Sequence, residues 1–156
     1  MRFGPLAGER VFAWGAGLQA IDISTRRNTT IEPVSQRIVQ LDVMDAESVH
    51  YVVAPREDSR PLDWRSEPVE VRWWNGEQSQ TIAVSSPESQ VLAVSSARPE
   101  AVVMDAEGTL RLVGAESEPT ELMTAASYPF LQPENWGTIG YYDPSRGPLV
   151  VFSPNG

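Results

Sequence analysis

The sequence predicts an all-β protein in which a unit of four antiparallel strands recurs about every forty residues. Three observations support this fold class. Short apolar segments that end in aspartate recur along the chain, apolar and polar residues alternate with a period of two within single segments, and 13 prolines and 11 glycines are spread over the 156 residues. Prolines and glycines at this density interrupt helices, and the period-two alternation is typical of strands.

An aspartate closes the second strand of each predicted unit. Its carboxylate accepts hydrogen bonds from backbone N–H groups within a turn, and a nearby glycine adopts a positive φ at low cost. This role in turns is far commoner than a shared catalytic role, so we predict strand–turn–strand hairpins at all of these positions. The structural turn residues are Asp22, Asp63, Asp105 and Asp143, which are 41, 42 and 38 residues apart.

Apolar strands before and after these hairpins complete the units. The predicted units cover residues 11–43, 49–84, 91–124 and 128–156, and the fourth is incomplete. Together they form a single domain that spans residues 1–156.

Two short segments show how strands and turns are predicted within a unit. Residues 69–74 alternate with a period of two, which places Trp73 on the inner face of a strand and Trp74 on the outer face. Asn75-Gly76 follows, a dipeptide that favours a two-residue hairpin turn. Residues 15–17, Gly-Ala-Gly, are predicted to turn the chain between the first two strands of the first unit.

One stretch of the chain resembles a known repeat family. Residues 82–96, IAVSSPESQVLAVSS, resemble the junction between two blades of WD40-type β-propellers, where an outer strand leads through a serine–proline turn to the innermost strand of the next blade. Residues 101–113 are also similar to such a blade, with Asp105 in its acidic tight turn. The Gly-His and Trp-Asp dipeptides of the family are absent, so the resemblance is to a divergent propeller of about three and a half blades.

The resemblance implies a scaffold that binds another protein through its faces and rim and catalyses nothing. The first alternative is a carbohydrate-binding or glycoside-hydrolysing propeller, whose chemistry needs a pair of carboxylates. The second is a small acidic inhibitor of a basic partner. Both remain open at this point, because acidic residues are scattered along the chain and no pair of them stands out.

An incomplete propeller leaves exposed sheet edges, which pair readily with other strands. We therefore expect a fragment of a larger propeller, self-association, or assembly with another propeller-forming chain. Closure by a strand from residues 1–10 is disfavoured, because Pro5 has no N–H to donate to a sheet ladder.

The composition restricts partners and location. With 12 Lys and Arg against 21 Asp and Glu, the formal net charge is −9, which repels nucleic-acid backbones and anionic lipid. No apolar run reaches the length of a signal-peptide core or a membrane span, so a cytoplasmic location is expected. Because the chain has no cysteine and a single histidine, His50, no catalytic, metal-binding or cofactor-binding residues are predicted.

Aromatic and arginine side chains give the best candidates for binding a partner, because tryptophan and arginine are enriched at interaction hot spots. Trp64 follows the turn at Asp63, and Arg72 and Trp74 lie near a hairpin tip. We predict these three residues as partner-binding. The alternative for the tryptophans is packing between neighbouring sheets, the commoner use of a buried aromatic ring.

Overall fold

The computed structural model describes residues 1–54, 67–86, 88–95, 97–115, 117–123, 140–142 and 145. These residues contain eleven strands and no α-helix, so the predicted all-β class is confirmed for this part of the chain. No described helix is long and apolar enough to cross a membrane.

The strands form two sheets. The first has six antiparallel strands in chain order: β1 (Arg2–Ala7), β2 (Arg10–Asp22), β3 (Asn28–Asp45), β4 (Ser48–Ala54), β5 (Val69–Trp74) and β6 (Ser79–Ser85). The second contains β7 (Ser89–Ser95), β8 (Glu100–Asp105), β9 (Leu110–Gly114), β10 (Ser117–Met123) and β11 (Gly140–Tyr142). In this sheet β7 to β10 are consecutive antiparallel neighbours, and β11 pairs with β7 in parallel.

The chain doubles back within β2. The amide of Ile23, just after this strand, donates a hydrogen bond of 2.8 Å to the carbonyl of Glu9, just before it. Thirteen extended residues would separate these ends by roughly 43 Å. The reversal lies at Gly15 and Gly17, which have φ of 129° and 79°. The predicted turn at residues 15–17 is therefore confirmed.

β3 also reverses direction, at residues 33–36. Its first part pairs with β2. The register then shifts from Leu18↔Glu32 to Ala16↔Arg37, so that the four residues 33–36 project from the ladder. The last part of β3 pairs with β4. The two turns, at residues 15–17 and 33–36, therefore lie side by side.

Gly17 is required where these two turns meet. A Cβ there would lie 2.9 Å from the carbonyl oxygen of Glu32 and 3.0 Å from the carbonyl group of Pro33. We expect Gly17→Ala to lower the free energy of unfolding by about 2 kcal/mol, through the positive φ and the backbone clash. Urea denaturation measures this loss. Gly8→Ala is the control, because Gly8 also has a positive φ, of 60°, but a Cβ there would approach only a side-chain carbon, at 3.7 Å. This variant should lose about half as much free energy of unfolding. Equal losses in the two variants would contradict the clash.

The main core lies between the two sheets. It contains Val52, Val69, Val71 and Ile82 from the first sheet and Val91, Val94, Ala101 and Val103 from the second. A second core fills the concave side of the first sheet, which curves strongly. Because β2 and β3 each double back, Phe12 in the first half of β2 and Trp74 in β5 are five strand spacings apart, roughly 24 Å in a flat sheet, yet their ring centroids are 6.0 Å apart.

The predicted order of four antiparallel strands is present in two units and differs at residues 49–84. The two halves of β2 and the two halves of β3 supply the four strands predicted at residues 11–43. Strands β7 to β10 form the four-stranded antiparallel unit that was predicted at residues 91–124. The predicted strand order of the unit at 49–84 is wrong, because β4 pairs directly with β5 over five residue pairs and leaves no place between them for a strand ending at Asp63. Asp63 itself lies outside the described residues.

The predicted boundaries between units also differ from the sheets. β3 and β4 pair within one sheet, so the first two predicted units are continuous rather than separate blades. β11, which was predicted as part of the fourth unit, extends the sheet of the third through its pairing with β7. The described sheets remain open and form no closed ring.

The start of the chain forms a strand despite Pro5. β1 pairs with β2, and the register shifts between Phe3 and Leu6, so Pro5 lies where the ladder is already interrupted. Proline is tolerated on edge strands and at such irregularities because no ladder hydrogen bond is lost. A strand therefore forms at Arg2–Ala7 despite Pro5, while the described sheets remain open and this strand closes no ring.

Candidate functional site

The predicted turn aspartates have the expected geometry where the structure describes them. The Asp22 carboxylate accepts hydrogen bonds from the Thr25 amide at 2.9 Å and the Ser24 hydroxyl at 2.8 Å. The backbone hydrogen bond from Thr25 is the main reason that the pKa of Asp22 lies below its usual value of 3.8.

Asp105 holds the turn of the second sheet in the same way. Its carboxylate accepts from the backbone amides of Glu107 and Thr109 at 3.1 and 2.9 Å, and Gly108 has a φ of 82°. The Thr109 hydrogen bond, with the charge of Arg111, lowers the pKa of Asp105. The turn prediction is confirmed for Asp22 and Asp105, while Asp63 and Asp143 lie outside the described residues.

Trp74 does not face solvent. It is 2% exposed, its ring meets Phe12 edge-on, and the Arg10 guanidinium lies 5.8 Å from its centroid. The predicted outward orientation is wrong, because the curvature of the first sheet brings β2 over that face of β5. Trp73 is on the opposite face, where it packs against the core between the sheets as predicted. Trp64 lies outside the described residues.

Arg72 is the centre of a polar network on the concave side of the first sheet. Its Nη1 lies 2.7 Å from Glu32 Oε1, and its Nη2 lies 2.7 Å from Glu70 Oε2. The Tyr51 hydroxyl donates to Glu32 Oε1 at 2.6 Å and shares a hydrogen bond of 2.7 Å with the Ser79 hydroxyl. The predicted partner-binding side chain is therefore engaged by two carboxylates of its own chain.

The network is stabilised by its internal charges. Burial alone lowers the pKa of Arg72, but hydrogen bonds and attraction from Glu32 and Glu70 outweigh it and raise the pKa above its ordinary value. Burial and the hydrogen bond to Glu32 raise the pKa of Tyr51 far above 10.0, so the phenol stays protonated. Because Glu32 directly precedes the turn at residues 33–36, the network fixes one end of that turn.

A cleft of about 330 Å³ opens between the two neighbouring turns and the start of β1. We call it the two-turn cleft, and it is lined by Arg2, Gly15, Ala16, Val34, Ser35, Gln36 and Arg37. Two of the seven lining residues are arginines and none is acidic, in a chain of net charge −9. The cleft therefore favours an anionic group over the rest of this surface.

Exposed apolar side chains lie beside the cleft along β1. Phe3 is 68% exposed and Leu6 is 62% exposed, and Val34 on the rim of the cleft is 70% exposed. The outer edge of β1 pairs with no described strand, because β1 is the terminal strand of the sheet. An unpaired edge next to exposed apolar side chains is a surface on which another strand can add, with main-chain pairing on either side of Pro5, which has no N–H to donate.

Comparison with protein-family models, with curated proteins and with solved structures gives no match for this chain. The described residues contain no group of three or more histidine, cysteine, aspartate or glutamate side chains that could hold a metal ion. The site is therefore interpreted from its own geometry.

Most residues of the two-turn cleft and of the Arg72 network were not predicted from the sequence. The Gly-Ala-Gly turn at residues 15–17 was recognised, but no signal marked residues 33–36 as its neighbour. The shape of residues 33–36 follows from Gly17, whose missing Cβ lets Pro33 approach. A proline sixteen residues after a glycine turn carries no local sequence signal of that contact.

Proposed function

We propose that this protein is a non-catalytic scaffold that binds an extended segment of another protein, which adds as a strand to the outer edge of β1. The observation that carries this proposal is the combination of an edge strand without a described outer partner and the exposed side chains of Phe3 and Leu6 along it. Main-chain hydrogen bonds supply affinity in strand addition, and side chains on alternate faces supply specificity.

The register of β1 places its apolar side chains together. A regular strand would put residues three apart on opposite faces, but the ladder is irregular between Phe3 and Leu6. Gly4 and Ala7 both lie on the inner side, because a Cβ on Gly4 would approach Leu41 at 3.2 Å and Ala7 packs against the core of the curved sheet. Phe3 and Leu6 therefore both face outward.

A rigid framework supports this edge. β1 pairs with β2, whose Phe12 is fully buried, and the Arg72 network fixes the adjacent turn. A binding strand therefore meets a surface that is largely formed in advance, which lowers the entropic cost of association.

The scaffold part of the proposal draws on the four-stranded unit β7 to β10, the segment that resembles a propeller blade. This unit packs face to face on the first sheet through a shared core, as neighbouring blades do.

The proposal is tested with a labelled strand-forming peptide. The probe is a fluorescein-labelled eight-residue peptide of alternating threonine and valine, and its binding to the full chain is measured by fluorescence anisotropy. We expect Leu6→Lys to weaken binding at least tenfold, because it places a charge in the apolar contact. Val84→Lys, at another exposed apolar position on β6, should leave binding unchanged.

Two further measurements make the result decisive. N-methylation of alternate peptide amides should abolish binding, because it removes the donors of the ladder. Amide chemical-shift changes should map to β1 and β2. The proposal is overturned if the probe shows no saturable binding, or if N-methylated and unmodified peptides bind equally.

A further inference from the structure

The two-turn cleft and the outer edge of β1 are parts of one surface. Their adjacency restricts the side chains that a strand bound at β1 can carry. Arg2 belongs to both, because it pairs with Trp14 in the β1–β2 ladder and also lines the cleft. Its guanidinium lies over the Trp14 ring, 5.2 Å from the centroid. This contact positions the charge without using a carboxylate of the chain.

An added strand places its side chains on alternate faces. The residue opposite Arg2 lies on the face of Arg2, and the residue opposite Phe3 lies on the face of Phe3. The first meets the cationic cleft, and the second meets exposed apolar side chains. A strand that binds β1 therefore needs acidic side chains on the face of Arg2 and apolar side chains on the face of Phe3.

We infer that the two-turn cleft takes a carboxylate side chain of the incoming strand, so that the partner segment alternates acidic and apolar residues. This inference rests on the proposed strand addition and specifies its partner. Arg2 attracts the carboxylate, while the apolar residues of the segment cover Phe3 and Leu6.

A second copy of this chain does not fit the surface as well. β1 itself, Arg2–Ala7, contains no acidic residue. Pairing of two β1 edges would therefore offer no carboxylate to either cleft, and it would add arginine to arginine. The observations favour a different protein that carries an acidic strand.

The test compares three labelled eight-residue peptides in which valine alternates with glutamate, glutamine or lysine. We expect the glutamate peptide to bind the full chain about tenfold more tightly than the glutamine peptide and the lysine peptide to bind most weakly. The advantage of glutamate should shrink as the salt concentration rises, because salt screens exposed charges.

Matched variants assign the preference to the cleft. Arg2→Gln should remove most of the glutamate advantage, and Arg2→Lys should keep part of it. Arg27→Gln makes the same charge change at the distant turn between β2 and β3 and should leave the advantage intact. Native mass spectrometry of the free chain at the same concentration reports whether self-association competes for β1.

The outcomes separate this inference from the proposed function. The inferred binding of a carboxylate in the two-turn cleft is overturned if the glutamate and glutamine peptides bind equally, or if Arg27→Gln reduces the preference for glutamate as much as Arg2→Gln does. Strand addition at β1 would still stand in either case. If no peptide binds, both are overturned. A stable dimer that is disrupted by Leu6→Lys would overturn the inferred partner and assign the edge to a second copy.

Discussion

Replacing Arg72 with leucine is expected to lower the free energy of unfolding by about 3 kcal/mol, because the substitution leaves Glu32 buried without its counter-ion. The Glu32 side chain is 7% exposed and that of Arg72 is 22% exposed, so water screens this pair weakly. Urea denaturation of the full chain at pH 7 measures the loss. A change below 1 kcal/mol would show that the network contributes as little as an ordinary surface pair.

Two control variants identify the cause. The double variant Glu32→Gln with Arg72→Leu removes both charges and should recover more than half of the lost stability. Arg111→Leu breaks a more exposed ion pair with Asp105, at 2.5 Å, and should cost less than 1 kcal/mol. If the double variant is as unstable as Arg72→Leu alone, the loss comes from packing rather than from an unpaired carboxylate.

Acid is expected to destabilise the protein through His50. This residue in β4 is 1% exposed, and neither ring nitrogen has a partner at good hydrogen-bond geometry among the described residues, although the Arg98 backbone lies nearby. Burial lowers the pKa of His50 from 6.5 to about 4, and the nearby backbone of Arg98 opposes this shift only in part. The ring stacks on Trp73, with centroids 6.4 Å apart, and Asp42 is its cross-strand neighbour in β3.

The direction of the pH effect follows from these values. Between pH 6.5 and pH 4 the unfolded chain binds a proton at His50 and the folded chain does not, so acid favours unfolding. We expect the free energy of unfolding to fall by about 3 kcal/mol over this window. The low pKa values of Asp22 and Asp105 act at lower pH, because the stability they contribute is lost only below about 3.8.

His50→Leu isolates this effect. The variant removes two buried nitrogens that lack partners at good hydrogen-bond geometry, so it should be about 1 kcal/mol more stable at pH 7 and should lose most of the slope between pH 6.5 and pH 4. Urea denaturation at half-unit pH intervals gives both curves. Parallel curves for the two proteins across that window would mean that His50 titrates normally.

The sequence predicts local turns well in this protein, for a physical reason. Asp105 and Gly108 form a turn whose hydrogen bonds lie within five residues, and Gly15 and Gly17 reverse the chain through their own φ angles. Such features depend on neighbours along the chain. The pairing of β4 with β5 depends instead on a competition between strands, and no local pattern decides it.

The two adjacent tryptophans show the same division between local and distant causes. Period-two alternation correctly places Trp73 and Trp74 on opposite faces of β5. It does not say whether a face is covered. Trp74 is buried because β2 curves over it, a contact between residues more than sixty positions apart. The two-turn cleft was missed for the same reason, since its lining comes from β1, β2 and β3.

The parallel pairing of β11 with β7 has a consequence for the order of folding. Gly140 lies opposite Ala93, so this contact closes a much longer loop than any pairing between successive strands of the first sheet. Loop closure becomes slower and costs more entropy as the loop lengthens. During synthesis the first six strands can therefore pair one after another with their neighbours in sequence. The pairing of β7 with β11 can form only after Tyr142 has left the ribosome.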